Sequence, residues 1–149
     1  MRLDRTWIEA HIPHRGRMCL LDEVMEWDAL GVLCRSSSHR APDHPLRAHD
    51  RLGTASGIEY AAQTMAVHGA LSSGAAEHPP EAGFLAGLRN VELLVPRLDD
   101  VCGDLLSRAT LLAGDGGSAL YEFELTGESR TLLRGRATVV FDANGRLKR

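Results

Sequence analysis

The spacing of apolar positions changes after the one long helical stretch of this chain, from a helical period to a strand period. Between Thr54 and Leu71, apolar or small residues fall at Ile58, Ala61, Ala62, Met65, Ala66 and Gly69, the three-and-four spacing of one helix face. Ser56, followed three residues later by Glu59, has the form of a capping box and marks the expected start. Small side chains on the apolar face thin the layer between a helix and its cover, which favours a closely wrapped sheet over a Leu-rich bundle. The helix is expected to lie buried along its length.

Beyond it the period becomes two. Leu120-Tyr-Glu-Phe-Glu-Leu125 places a polar residue at every second position, as a half-buried antiparallel strand requires. Strands are predicted over Gly83–Val95, Val101–Ala113, Ala119–Thr126 and Thr131–Phe141, divided by Pro96-Arg-Leu-Asp-Asp100, Gly114-Asp-Gly-Gly117 and Gly127-Glu-Ser-Arg130. Ser72 to Ala82, with Pro79-Pro80, reads as an exposed connection. Upstream of the helix, Gly31–His39 is a strand candidate, Met18–Trp27 a short strand or turn, and Thr6–His11 a short helix that Pro13 ends. Ile12–Gly16 is then a loop, and Ala41–Arg51 a long polar one. The whole, residues 1–149, is expected to be a single α+β domain with an antiparallel sheet curled around one long central helix.

Composition narrows the function classes. With 149 residues, 44% hydrophobic and 25% charged, the chain can bury a core. A formal charge of −3 with interspersed signs offers no basic stripe for nucleic acid and no polybasic anchor for a membrane. No apolar run approaches the roughly 20 residues of a membrane span, and the N-terminus has no signal-like apolar region. Cys19, Cys34 and Cys102 are odd in number and lack a C-x-x-C, so neither a disulfide framework nor a structural zinc site is expected, and a reducing cytoplasm fits. His39, His44 and His49 recur every five residues beside Asp43 and Asp50, but that spacing aligns no three ligands on a regular element, so the segment reads as a mobile rim loop without metal. His68 and His78 are expected at the surface. Ser72-Ser-Gly74 has no G-x-S-x-G elbow, which leaves a serine hydrolase unsupported.

Three stretches carry a family resemblance: Ile12-Pro-His-Arg-Gly-Arg-Met-Cys-Leu-Leu-Asp22, Gly57-Ile-Glu-Tyr-Ala-Ala-Gln63 and Gly83-Phe-Leu-Ala-Gly-Leu-Arg89. In this order they resemble hotdog-fold 3-hydroxyacyl-acyl-carrier-protein dehydratases, most nearly the aryl-polyene-type branch with a P-H-R-G-x-M loop and a G-x-E-x-x-A-Q helix start. The resemblance implies that His14 is a general base, that Glu59 is the acid in the first turn of the hotdog helix, and that Gln63 borders the site. It further implies a dimer in which the histidine of one subunit faces the acid of the other. The implied substrate is a (3R)-hydroxyacyl thioester on an acyl-carrier protein or coenzyme A, converted to the trans-2-enoyl thioester with no cofactor.

The chemistry asks for those residue types. Dehydration needs a base for the C2 proton, an acid near the C3 hydroxyl and a donor for the thioester oxygen. Histidine exchanges a proton near neutral pH. A glutamic acid serving as the acid would need its pKa raised against the lowering pull of the helix N-terminus. Backbone N–H groups at Gly57 and Ile58 are the natural donors for the carbonyl oxygen. Each residue also has a structural alternative: Glu59 as a capping-box residue, His14 as an ordinary loop histidine, Gln63 as the i, i+4 partner of Glu59. Two departures from the best-known dehydratases are visible. Thr54-Ala-Ser-Gly57 replaces a Pro-Gly pair, and the loop beside the acyl tunnel carries Asp43-His-Pro-Leu-Arg-Ala-His49 in place of aromatic and glycine residues. An acyl thioesterase using the same helix start, and an acyl-binding partner subunit of a heterodimer whose catalytic pair is idle, are the competing readings.

Overall fold

A computed structural model describes residues 3–73, 82–115 and 117–142. The elements run α1 (Arg5–His11), β1 (Glu23–Asp28), β2 (Gly31–Ser36), α2 (Gly57–Ser72), β3 (Ala82–Leu93), β4 (Leu105–Gly114), β5 (Ser118–Gly127) and β6 (Arg130–Asp142), with single 3-10 turns at Gly16–Met18, Ser38–Arg40 and Thr54–Ser56. The six strands form one antiparallel sheet in the order β1-β2-β4-β5-β6-β3. It packs through β2, β4 and β5 on α2, the hotdog arrangement expected. The predicted strands are found within a few residues of their expected bounds. Residues 74–81, most of the expected exposed connection, and His78 within it, lie outside the described residues.

Register follows from alternation on both faces of the sheet. Tyr121, Phe123 and Leu125 of β5 face α2 opposite Ala137, Gly135 and Leu133 of β6. On the other face the charges alternate in sign across the strands. Arg108 of β4 pairs with Glu26 of β1 at 3.2 Å. Glu124 stands opposite both Arg108 and Arg134, and Arg134 reaches Glu92 at 2.8 Å. A one-residue slip would set these charges opposite apolar or small residues and turn the apolar row to water.

The start and the packed face of α2 differ from the expectation. Ser56 has helical dihedrals, φ −62° and ψ −19°, and its side chain caps nothing, because the Thr54–Ser56 3-10 turn runs straight into the helix. A true N-cap residue needs extended backbone. Glu59 is thereby released from the capping role. The small-residue stripe is only part of the packed face: Ala61 and Met65 are buried and Ile58, Ala62, Ala66 and Gly69 half-buried, while Gly57, Tyr60, Thr64 and His68, outside the stripe, are buried too. The buried polar members are individually satisfied. Thr64 Oγ1 donates to the Tyr60 carbonyl at 2.8 Å and lies 2.6 Å from Ser107 Oγ on β4.

Candidate active site

Residues 12–18 form a braced loop. α1 ends when the Ile12 N–H bonds the Ile8 carbonyl at 3.0 Å, with Ile12 extended before Pro13 and buried in the core. Gly16 then takes φ +58°, the left-handed region glycine enters at little cost, and begins a 3-10 turn. The Arg5 guanidinium donates to the Gly16 carbonyl at 2.7 Å and ties this turn to α1. Held between these fixed points, His14 faces the first turn of α2.

There His14 Nε2 lies 2.9 Å from Glu59 Oε1 within the same chain. The resemblance implied a pair meeting across two subunits; this chain brings its own histidine and its own acid together. The His14 bond is the main cause that holds the Glu59 carboxyl below its ordinary pKa, assisted by Gln63 and opposed by burial. The raised pKa needed by a resting acid is therefore not found, because two hydrogen-bond donors outweigh desolvation. An ionised Glu59 accepts only, so the bond requires the Nε2–H tautomer of His14. His14 Nδ1 is enclosed and has no hydrogen-bond partner among the described residues.

Gln63 is fully buried, and its amide is spoken for. Oε1 accepts from the Leu20 N–H at 2.9 Å, while Nε2 donates to the Met18 carbonyl at 2.7 Å and to Glu59 Oε1 at 3.2 Å. Both amide hydrogens point into protein, as in the structural alternative, and none is left for a ligand. Gly57 also differs from the expectation: its N–H turns back to the Thr54 and Ala55 carbonyls inside the 3-10 turn, so it is not a free donor. A Cβ at Gly57 would lie 2.1 Å from Leu133 Cδ2 and 2.9 Å from Leu125 Cδ2, which explains the glycine by the closeness of the sheet. Ile58, half-buried, follows it in the same turn.

Three histidines expected at the surface or on a mobile rim are buried. His39 Nε2 lies 3.0 Å from the Val101 carbonyl, and His44 Nε2 3.1 Å from the Tyr60 hydroxyl. Burial is the leading cause holding both below the usual histidine pKa. His68 Nδ1 meets the Tyr121 hydroxyl at 2.7 Å, and its Nε2 meets the Asp28 carbonyl at 3.1 Å. A signal for His68 was present, since residues 57, 60, 61, 64 and 68 share one helix face. His39 and His44 gave none, because their partners lie far along the chain. Among the described residues no group of three or more His, Cys, Asp or Glu is placed to hold a metal ion, and no helix is long and apolar enough to cross a membrane.

The site is thus an ionised carboxylate and an imidazole sharing one hydrogen bond at the open end of α2, a pair able to accept, store and return a proton. Comparison with known proteins adds a family. Residues 6–146 match the family described as ApeP dehydratase. Among solved structures, the dehydratase heterocomplex ApeI:P from Xenorhabdus doucetiae is similar with a TM-score of 0.81 and 23% identity, over 94% of this chain and 93% of that one. Thioesterase superfamily member 2 of zebra fish gives 0.66 and 15% over 93% and 95%, and the PaaI protein of E. coli 0.59 and 14% over 78% and 80%. At these identities the likenesses establish the fold. Curated proteins give no match.

Proposed function

Since the chain belongs to the ApeP-like family of dehydratases, we propose that it removes water from a (3R)-hydroxyacyl thioester, carried by an acyl-carrier protein or coenzyme A, with its own His14 and Glu59 as the catalytic pair. The observation that carries this reading is the 2.9 Å Nε2–Oε1 bond. It constrains the order of events. Glu59 rests ionised, so the proton it delivers to the C3 oxygen is one it receives during the reaction. His14 takes the C2 proton on the nitrogen that lacks one and releases its Nε2 proton to Glu59 Oε1. Glu59 then protonates the departing hydroxyl, and the electron pair left at C2 becomes the new double bond. One proton enters the pair and one leaves, with no net change in its charge. Nδ1 is enclosed, so the substrate reaches it by displacing what covers it.

Pairing with a second hotdog subunit, a copy of this chain or a paralogue, belongs to the same proposal. Strand β3 is a sheet edge bonded only to β6, and along and just past it Leu85, Leu88, Leu93 and Leu94 are 40–49% exposed. A twelve-residue edge bearing a row of leucines is a poor surface to leave in water. The solved relative is itself a heterocomplex. The cytoplasm suits this reading, with Cys19, Cys34 and Cys102 all free.

Mass-spectrometric turnover of 3-hydroxyacyl-carrier-protein thioesters of several chain lengths tests the activity. Loss of one water is expected, abolished in His14→Ala and reduced about 10²–10⁴-fold in Glu59→Gln. Release of free acid would instead establish a thioesterase, and product formation unaffected by either substitution would remove the pair from catalysis.

A further inference from the structure

The turn of α2 that carries Glu59 also holds, in Tyr60, the middle of a largely buried hydrogen-bond chain in which each direction can be assigned. It starts at the Leu46 N–H, which can only donate, and which bonds His44 Nδ1 at 3.0 Å. Nδ1 therefore carries a lone pair, and the hydrogen of the neutral ring sits on Nε2, 3.1 Å from the Tyr60 oxygen. With that oxygen accepting from His44, the Tyr60 hydrogen is left for Ser38 Oγ at 2.7 Å. Ser38 in turn donates to the Leu20 carbonyl at 2.8 Å. Four donors and four acceptors are matched without a gap, and Tyr60, fully buried, has its phenol pushed up to about 12, so it keeps the hydrogen that the chain requires.

What the chain ends on gives it a use. The Leu20 peptide is gripped on both sides from α2: its carbonyl by Tyr60 through Ser38, its N–H by Gln63 directly. The same Gln63 holds the Met18 carbonyl and Glu59 Oε1. Met18 closes the 3-10 turn that follows His14. The other end, at His44, lies in the rim loop, whose Asp43 carbonyl accepts from Arg17 Nη1 at 3.2 Å in that same turn. Two loops distant in sequence are thus fastened to one helical turn beside the His14–Glu59 pair.

We propose that Tyr60 is a positioning residue for the dehydration: through Ser38 and Leu20 on one side and His44 on the other, it fixes the histidine loop and the rim loop against Glu59. Tyr60 touches neither member of the pair. This rests on the reading of His14 and Glu59 as the catalytic pair, and the two fail separately, since His14→Ala tests the pair whatever Tyr60 does.

Tyr60→Phe keeps the ring and its packing and deletes one hydroxyl; Ser38→Ala breaks the next link with a smaller buried change. Each is expected to lower kcat about 10- to 100-fold, the scale of a small misplacement of reacting groups, with KM within about twofold of wild type. The double variant is expected to lose no more than either single one, because both cut the same chain. Wild-type kcat in Tyr60→Phe, or losses that multiply in the double variant, would overturn the proposal. A Tyr60→Phe chain that did not fold would leave the decision to Ser38→Ala, where an unchanged kcat overturns it just as well.

Discussion

Gly57 and Gly69 lie on the same helix, twelve residues apart, and replacing each with alanine is predicted to change stability in opposite directions. At Gly69 a Cβ would meet nothing within 4 Å, so Gly69→Ala collects the ordinary helix-propensity gain of about 1 kcal/mol. At Gly57 the added carbon would sit 2.1 Å from Leu133 Cδ2 and 2.9 Å from Leu125 Cδ2, far inside van der Waals contact. Neither leucine can swing clear, because Leu133 and Leu125 are 0% and 1% exposed. Overpacking of this kind costs about 1–3 kcal/mol and outweighs whatever propensity gain the helix start offers. The variants should therefore differ by about 2–4 kcal/mol, and a domain of this size shifts about 2–4 °C in Tm per kcal/mol. Urea unfolding at constant m-value separates them cleanly. Should Gly57→Ala prove as stable as wild type, the close approach of α2 to the sheet, and with it the account of why glycine stands there, would be refuted.

Further predictions concern the rest of the fold. Ser129 sits at φ +61° beside Glu128 at +53° in the β5–β6 turn, so Ser129→Gly should stabilise by about 1 kcal/mol in thermal unfolding, while Glu128 is kept because its Oε1 accepts from the Cys102 N–H at 2.8 Å. Tyr121→Phe strips His68 Nδ1 of its 2.7 Å partner in a buried site and should cost about 1–3 kcal/mol in urea, without the gain that removing an exposed hydroxyl would give. Acid should also destabilise the protein in a definite window. Asp99 accepts from Arg97 at 2.6 and 3.0 Å and from the Leu52 N–H at 3.0 Å, and the Arg97 bond foremost holds its carboxyl well below the usual range. Glu59 is lowered too. A carboxylate lowered on folding contributes stability that is present above its unfolded pKa, near 4, and is lost as pH falls through the folded value. The urea midpoint should accordingly drop below about pH 4, and Asp99→Asn should flatten that slope.

How much of this could be read from the sequence depended on how far each residue's partner lay along the chain. The strands were legible because a half-buried strand writes its own alternation, as Leu120–Leu125 does. The helix was legible as an element, but its start was misread and its packed face only partly read. Ser56 and Glu59 have the residue types of a capping box, yet the preceding 3-10 turn already supplies the first helical carbonyls, and that continuity has no sequence signature. Apolar spacing found Ala61 and Met65 but extended the face to the half-buried Ile58, Ala62, Ala66 and Gly69, and it missed Thr64 and His68, which hydropathy alone assigns to water. Their burial is made possible by Ser107 and Tyr121, 43 and 53 residues away. His14 and Glu59 could be named through a resemblance of motifs, but their meeting within one chain could not, since nothing local fixes how a loop at residue 14 approaches a helix beginning at residue 57.

Subunit complementation tests the central claim, that one chain carries its own catalytic pair, most directly. His14→Ala and Glu59→Gln chains would be purified separately, then unfolded and refolded together so that subunits mix, and water loss from a 3-hydroxyacyl-carrier-protein thioester followed beside wild type treated the same way. With both groups of a site supplied by one chain, every site in the mixture is broken and no activity returns. Recovery toward about a quarter of the wild-type rate, the share expected when half the dimers regain one of two sites built across subunits, would contradict it.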